Sequence, residues 1–405
     1  MAVGLDNIFN SAIKNTLFRS KEVLQTNYTP ESIPHRDKQI EQIASIMAPL
    51  LRGERSSNLF LYGKTGTGKT LSVQYVQNEL IRRAKELDIN IRIIYLNCKL
   101  KKVSDTEYRI LAALIQKLGG NISATGLPTD QVYSKFIEII DDKKQVVVII
   151  FDEIDQAVKK IHDGFLYNLT RLNSELGKAQ ISIIGISNDI TFLEDIDPRV
   201  RSSLGEEEIV FPPYNALQLQ DILNERCKTA FKEDAVDAGV IAKCAAYAAR
   251  EHGDARRALD LLRIAGELSE REGNCRVELK YIDLANEKIE KDKILDIVET
   301  QPKQFQLVLY SILQLTKEQN KKKDFNKFFT GDVYNLYRDV CARTHTESLT
   351  QRRVSDIVAE SDMLGLINAK VISKGRHGRT REIRLAVPDA LFDKVETILK
   401  ESLGL

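Results

Sequence analysis

Gly63-Lys64-Thr65-Gly66-Thr67-Gly68-Lys69-Thr70 decides the fold. It fits the pattern G-x-x-x-x-G-K-[ST], and the flanking residues supply the context that the pattern needs. Before it, Asn58–Leu61 reads as a buried strand; after it, Thr70–Leu87 reads as a helix. The glycines let the loop turn tightly and let backbone N–H groups approach phosphate oxygens closely. The helix N-terminus adds its positive dipole end. All eight residues are therefore candidate nucleotide contacts. The Lys69 ammonium is placed to reach the β- and γ-phosphates, and the Thr70 hydroxyl to sit on Mg²⁺.

Val146-Val147-Val148-Ile149-Ile150-Phe151-Asp152-Glu153 supplies the second half of such a site. A strand this apolar is buried on both faces, so acids at its C-terminal end emerge at the ligand edge of a parallel sheet. Asp152 is placed to hold Mg²⁺ through water, and Glu153 to orient and deprotonate an attacking water. A further strand, Ile181–Ile186, ends in Ser187-Asn188-Asp189. In this setting Asn188 stands beside the γ-phosphate and helps position water; a simple turn residue is the alternative. The implied cofactors are ATP or ADP and Mg²⁺.

These strands, with Arg92–Leu96, alternate with amphipathic stretches such as Thr106–Leu118, the signature of a parallel α/β sheet. After Phe211-Pro212-Pro213-Tyr214 the β-like runs stop, and Asn215 to about Lys293 reads as several helices. A second break falls at Gln301-Pro302. Beyond it come helices and then Lys370–Leu385, two strands around a glycine-containing turn. Three domains follow: 1–212, an α/β nucleotide-binding core with an N-terminal extension; 213–298, an all-helical lid; and 299–405, helices with a terminal β-hairpin. A chain of 405 residues is too long for one compact domain.

Composition narrows the class further. Hydrophobic residues at 43% and charged residues at 29% describe a globular chain rather than a disordered one. With 59 basic against 58 acidic residues the net charge is +1, so any nucleic-acid surface must come from local clustering. No long uncharged apolar run is present, so no membrane span is expected. Met1 to Asn10 lacks the basic-then-apolar order of a secretory signal. Cys98, Cys227, Cys244, Cys275 and Cys341 are scattered, which fits neither a zinc site nor a disulfide framework and points to a reducing, cytoplasmic interior. The five histidines form no ligand or triad spacing.

Basic clustering does occur toward the C-terminus. Ser348-Leu349-Thr350-Gln351-Arg352-Arg353-Val354-Ser355-Asp356-Ile357-Val358 begins with capping residues and continues with apolar residues at helical spacing. Leu349, Val354, Ile357 and Val358 face a core in this reading. Thr350, Gln351, Arg352, Arg353 and Ser355 then present polar and basic groups, as a recognition helix in a major groove requires. Lys370 to Arg384 carries six Lys or Arg against one acid. Its alternating apolar residues fit a hairpin, with Lys374, Gly375, Arg376, His377, Arg379 and Arg381 gathered toward the tip. Such a wing can lie along phosphates or dip into the minor groove. Taken alone it could be a solvated basic loop; helix and wing together point to duplex DNA.

The order of strand, phosphate loop, Asp-Glu strand, Asn strand and helical lid resembles the AAA+ superfamily. Tyr28-Thr29-Pro30 and Ile33-Pro34-His35-Arg36 are similar to the adenine-pocket segment of archaeal origin-recognition initiators, relatives of the eukaryotic origin recognition complex and its helicase-loading partner. Asp197-Pro198-Arg199-Val200-Arg201-Ser202-Ser203-Leu204 and Ile209-Val210-Phe211-Pro212-Pro213-Tyr214 look like that family's link between core and lid. Gly253-Asp254-Ala255-Arg256-Arg257-Ala258-Leu259 is similar to its lid motif.

The resemblance runs from about Val23 to the C-terminus. It implies an α/β AAA+ core with a parallel sheet, an all-helical lid and a C-terminal winged-helix domain. Tyr28, Pro34, Arg36, Tyr214 and Arg256 join the nucleotide contacts. The delocalised guanidinium of Arg256 suits phosphate oxygens and can report the γ-phosphate; a surface helix residue is the alternative. Arg199 or Arg201 is implied as a finger toward a neighbour's nucleotide, and either can instead hold the chain's own lid. The long connection from Ser104 to Asp142, with two helical stretches around Gly119-Gly120-Asn121 and Gly126-Leu127-Pro128, reads as an insertion projecting from the core, with packing against the lid as the alternative. In the resembling family an insertion here contacts DNA. The implied function is an ATP-switched initiator acting on double-stranded origin DNA in the cytoplasm, at the nucleoid. Its implied partners are the replicative helicase, which it helps recruit or load, and other initiator subunits. The competing functions are a motor or clamp-loader-like ATPase whose winged helix binds protein, and a nucleotide-bound transcription regulator.

Overall fold

Runs of Ile and Val set the architecture of the first half. The computed structural model describes residues 16–405 except Asn27, 100–105, 123–125, Leu193, Asp195, 323–327 and 374–378; for 320–322, Ser373 and Arg379 it describes the backbone alone. Two compact units are present, Met1–Ile282 and Asp283–Leu405.

In the first unit, helix α1 (Asp37–Met47) leads to strand β1 (Asn58–Tyr62), which runs through the phosphate loop into α2 (Lys69–Glu86). Then come β2 (Ile91–Asn97), α3 (Glu107–Lys117), α4 (Thr129–Ile140), β3 (Gln145–Asp152), α5 (Ile154–Ile161) and α6 (Gly164–Arg171). β4 (Ala179–Ser187), α7 (Pro198–Leu204) and β5 (Glu206–Val210) complete the core. The strands pair in parallel in the order β2-β3-β4-β1-β5.

Alternate residues of a strand go to opposite faces. Val147, Ile149 and Phe151 of β3 pack with buried residues of α3, α4, α5 and α6. Val146, Val148 and Ile150 pack with Ile43 and Met47 of α1 and with Val73 and Val76 of α2. Each such aliphatic side chain contributes about 1.5–3 kcal/mol on burial. Parallel pairing also aligns strand ends: Tyr62 of β1 lies opposite Ser187 of β4, and Asp152 of β3 opposite Ile186. That edge carries the site.

Two features differ from the sequence reading. β5 is a fifth strand, carrying Glu206, Glu207 and Glu208 at the sheet edge with only Ile209 fully buried. The described helices of the 104–142 connection do not project. Ile110, Leu114 and Ile115 of α3 and Val132, Phe136 and Ile140 of α4 are buried in the same core cluster as Leu96 and Phe151.

The lid follows as α8 (Ala216–Ala230), α9 (Val240–Arg250), α10 (Ala255–Arg271) and the start of α11 (Leu279–Thr300). A reciprocal capping box between Asn215 and Gln218 starts α8. The Asp254 carboxylate accepts from the N–H groups of Arg256 and Arg257 and so starts α10. The segment 17–36 reaches from lid to core. The Leu17 N–H donates to Glu270 Oε1 at 2.8 Å, and the Lys232 N–H donates to the Leu17 carbonyl at 3.0 Å. The Phe18 ring centroid lies 4.6 Å from that of Phe231. Only glycine leaves room there: a Cβ at Gly266, inside α10, would stand 2.5 Å from Phe18. At the other end, the Arg36 Nε donates to the Thr67 carbonyl of the core at 2.8 Å, beside His35, whose Nε2 lies 2.9 Å from Asp221 Oδ2 of α8.

The second unit continues α11 into α12 (Lys303–Lys322), β6 (Phe328–Phe329), α13 (Thr330–Arg343), α14 (Gln351–Met363), β7 (Ile367–Ser373), β8 (Arg379–Leu385) and α15 (Phe392–Leu403). Val354 and Val358 of α14 are fully buried, with Leu349 and Ile357 packed at the margin of the same cluster. The hairpin β7–β8 gains a third strand, because Phe328 of β6 pairs with Ile383. Among the described residues no helix is long and apolar enough to cross a membrane.

Candidate functional site

Loop 65–71 closes one side of a cavity of about 370 Å³. Lys69 opens α2 and is 5% exposed. Its ammonium donates to the carbonyls of Gly63 (2.6 Å) and Lys64 (2.8 Å) and to Asn188 Oδ1 (2.9 Å). Burial lowers its pKa to about 8, opposed by the Asp152 carboxylate, so it is charged at neutral pH.

Beside it, the Thr70 hydroxyl donates to Asp152 Oδ2 at 3.0 Å, and the Tyr95 hydroxyl donates to the same oxygen at 2.5 Å. The Glu153 N–H donates to Asp152 Oδ1 at 3.0 Å. A hydroxyl fixed against a carboxylate is a donor set of hard oxygens, which suits Mg²⁺ with its remaining positions filled by water and phosphate. Glu153 itself sits at the start of α5 with φ 55°. Burial raises its pKa, and Lys99, whose ammonium lies 3.9 Å away, pulls it back. A partly desolvated carboxylate is a stronger base than one in water.

The lid closes on the loop directly. The Thr65 hydroxyl donates to Asp254 Oδ2 at 3.3 Å, and the Ala255 N–H donates to the Gly66 carbonyl at 3.2 Å. Arg256 lines the cavity, as do Tyr28, Pro34 and Tyr214. Gly66 has φ +68°, and a Cβ there would fall 1.6 Å from Asp254 Oδ1. Gly66→Ala is therefore expected to lower the unfolding free energy by about 1–3 kcal/mol, measured by denaturant titration. An unchanged midpoint would mean that lid and loop part without cost.

In the second unit a groove of about 570 Å³ is lined by Thr330, Gln351, Arg352, Ser355, Val371, Thr380 and Arg381. Thr350, Gln351, Arg352 and Arg353 are exposed at the start of α14. The Arg381 guanidinium donates to the Ser355 carbonyl at 2.6 Å, tying β8 to the helix. Lys374, Gly375, Arg376 and His377 lie outside the described residues, and Arg379 is described only by its backbone in β8.

Residues 52–191 match the family "AAA domain", 220–287 the "Cdc6 AAA+ ATPase-type lid domain" and 296–395 the "CDC6, C terminal winged helix domain". The ORC1-type DNA replication protein of Thermococcus onnurineus is 51% identical over 388 residues, covering 95% of this chain and 92% of its own. The chain belongs to the ORC1-type DNA replication proteins. ORC1-type DNA replication protein 1 of Methanosarcina mazei is 49% identical, covering 96% of this chain and 92% of its own. The Aeropyrum pernix ORC1 protein, solved in complex with DNA, matches with a TM-score of 0.82 at 41% identity, over 95% of this chain and 97% of its own. The fold is thus an AAA core, a Cdc6-type lid and a winged helix.

Within this ORC1-type fold some candidates stand elsewhere than the sequence placed them. Gly63, Lys64 and Arg36 do not line the cavity. Gly63 and Lys64 offer their carbonyls to Lys69, and the Lys64 ammonium lies out at 3.3 Å from His252 Nδ1. The Arg36 guanidinium is behind the loop, on the carbonyls of Thr67 and Pro212. Arg201 lies within 3.5 Å of Glu206 and Glu208 of β5, whereas Arg199 is exposed and has no ion pair among the described residues.

Other residues were missed. Tyr95 fixes Asp152. Asp155, 2% exposed, accepts from the Ser187 hydroxyl at 3.3 Å and from the Asn188 N–H at 3.4 Å, which holds the end of β4. Arg226 of α8 lines the cavity with its guanidinium 4.7 Å above the Tyr28 ring. An Asp two residues after the Asp-Glu pair was a readable signal; nothing in one sequence pairs Arg226 with Tyr28.

Proposed function

We propose that this chain is an ATP-binding, slowly ATP-hydrolysing replication initiator that recognises double-stranded origin DNA and helps recruit or load the replicative helicase. The observation that carries this reading is one cavity uniting Lys69, the Thr70–Asp152 pair, Glu153, Asn188 and the lid residue Arg256. Bound Mg²⁺·ATP supplies the phosphoanhydride and the charge that the site is built to hold. Lys69 and the loop N–H groups bind phosphate, Thr70 and Asp152 position the metal, and Asn188 orients water. Glu153 takes the proton of that water. Arg256 senses the γ-phosphate, and Asp254 transmits its presence to α10, so nucleotide acts as a switch on the lid.

For the second unit, Thr350, Gln351, Arg352, Arg353 and Ser355 read the major groove. Lys374, Gly375, Arg376, His377, Arg379 and Arg381 contact the DNA backbone. Support comes from the 41%-identical Aeropyrum pernix relative, whose structure is a complex with DNA. Helicase loading, a cytoplasmic site of action at the nucleoid and the three-part division at 212 and 298 belong to the same proposal. The test is binding to a tiled set of genomic duplexes at fixed salt with competitor. Tight binding confined to origin segments, lost in Arg353→Ala/Arg379→Ala, supports the initiator. Equal binding of all duplexes, unchanged in the variant, favours a motor or clamp-loader-like ATPase.

Arg199 is the better of the two candidates for a finger toward a neighbour's nucleotide, since Arg201 is paired within its own chain. Arg199→Ala is expected to slow hydrolysis only at concentrations where initiator subunits associate. An equal effect in the dilute monomer would sink the trans role.

A further inference from the structure

We propose that Arg36 is a positioning residue for the phosphates of the bound nucleotide, acting from behind the loop through the peptide that joins Thr67 to Gly68. This deepens the nucleotide-binding reading above and rests on it. The Arg36 side chain is 1% exposed and forms no ion pair among the described residues. Its Nε donates to the Thr67 carbonyl at 2.8 Å, its Nη2 to Pro212 at 2.6 Å and its Nη1 to His35 at 3.1 Å. Its Cζ lies 3.8 Å from the centroid of the Tyr214 ring.

Burial pulls the guanidinium pKa down, yet its ordinary value is so high that the group stays charged. A full positive charge is thus buried among neutral partners, which is unfavourable unless an anion lies near. The loop in front of it is where that anion binds. In a trans peptide the C=O and N–H point opposite ways. With the Thr67 carbonyl drawn toward Arg36, the Gly68 N–H is turned to the far side, and Gly68 lines the cavity. The charge on the carbonyl polarises the peptide and makes that N–H a stronger donor. The fit is close: a Cβ at Gly68 would stand 2.9 Å from the Tyr214 hydroxyl and 3.7 Å from Arg36 Cγ. The grip on Pro212 holds the same loop against the link between core and lid.

Calorimetric titration of the full chain with ADP and with adenosine tests this, because only ADP carries phosphate. In Arg36→Met the ratio of ADP to adenosine affinity is expected to fall roughly tenfold, and in Arg36→Lys, which keeps the charge but loses the Nε donor to Thr67 and the planar stack on Tyr214, to fall roughly threefold. Equal losses for both ligands in Arg36→Met would reduce Arg36 to packing and overturn the proposal. Equal losses for both ligands in Arg36→Lys would likewise overturn it, and that arm decides should Arg36→Met not fold. Wild type that binds neither ligand would sink the nucleotide reading itself, whereas wild type that binds ADP with both variants unaffected sinks only the role of Arg36.

Discussion

Glu153→Gln is expected to slow ATP hydrolysis by roughly 10²–10⁴-fold while leaving ATP affinity within about threefold. Gln keeps the size and neutral hydrogen-bonding capacity of the side chain, and it can adopt the same φ of 55° at the head of α5. It cannot accept the proton of the attacking water. The Asp152 carboxylate, held by Thr70 and Tyr95, is untouched. Single-turnover hydrolysis and equilibrium binding, run on the same preparation, separate the two effects.

The pH profile adds an independent readout. Burial raises the Glu153 pKa, so protonation of the base begins at higher pH than for a carboxylate in water. Wild-type hydrolysis is therefore expected to fall as pH drops toward the acid range, and the residual rate of the variant to stay flat over that window. A wild-type rate in Glu153→Gln would remove Glu153 from the role of base.

Reversing two charges at the start of α14, Arg352→Glu with Arg353→Glu, is expected to weaken duplex binding by roughly 10²–10³-fold at about 0.15 M salt. Both side chains are exposed, and the buried face of the helix rests on Val354 and Val358, so the unit keeps its fold. Among the described residues the one ion pair concerned, Arg353 with Asp356 at 3.8 Å, is exposed and contributes little. Arg353 is thus free to turn toward DNA at small cost. Fluorescence anisotropy across a salt series should also show the slope of log affinity against log salt reduced by about two. Unchanged affinity and slope would move the DNA surface away from this helix.

The nucleotide site was legible where its residues are consecutive or end an apolar strand, as at 63–70 and 146–153. Hydrophobic runs buried on both faces leave little freedom about where the chain after them emerges. Strand β5 was hidden because an edge strand buries few side chains: Glu206, Glu207 and Glu208 show no apolar period, and only their pairing with β1 makes them a strand. Strand β6, two residues long, carries no period at all. The 104–142 connection was long enough to suggest a projecting insertion, and only the packing shows its apolar residues Ile110, Leu114, Val132 and Phe136 to be core. The lid contact between Asp254 and Gly66 joins residues 188 positions apart in a sequence that pairs nothing by itself.

The clasp of Phe18 on Phe231 and of Leu17 on Glu270 bears on how the molecule comes into being. Leu17 and its partner Glu270 are 253 residues apart. A ribosome adds about 5–20 residues each second, so Leu17 waits on the order of ten seconds or more before Glu270 exists. The parallel sheet between them can assemble in that interval, while Leu17 and Phe18 stay unclasped. Leu17 and Phe18 are thus among the last parts to reach their native place, and the nucleotide cavity that Tyr28, Ile33 and Pro34 help line is completed only then.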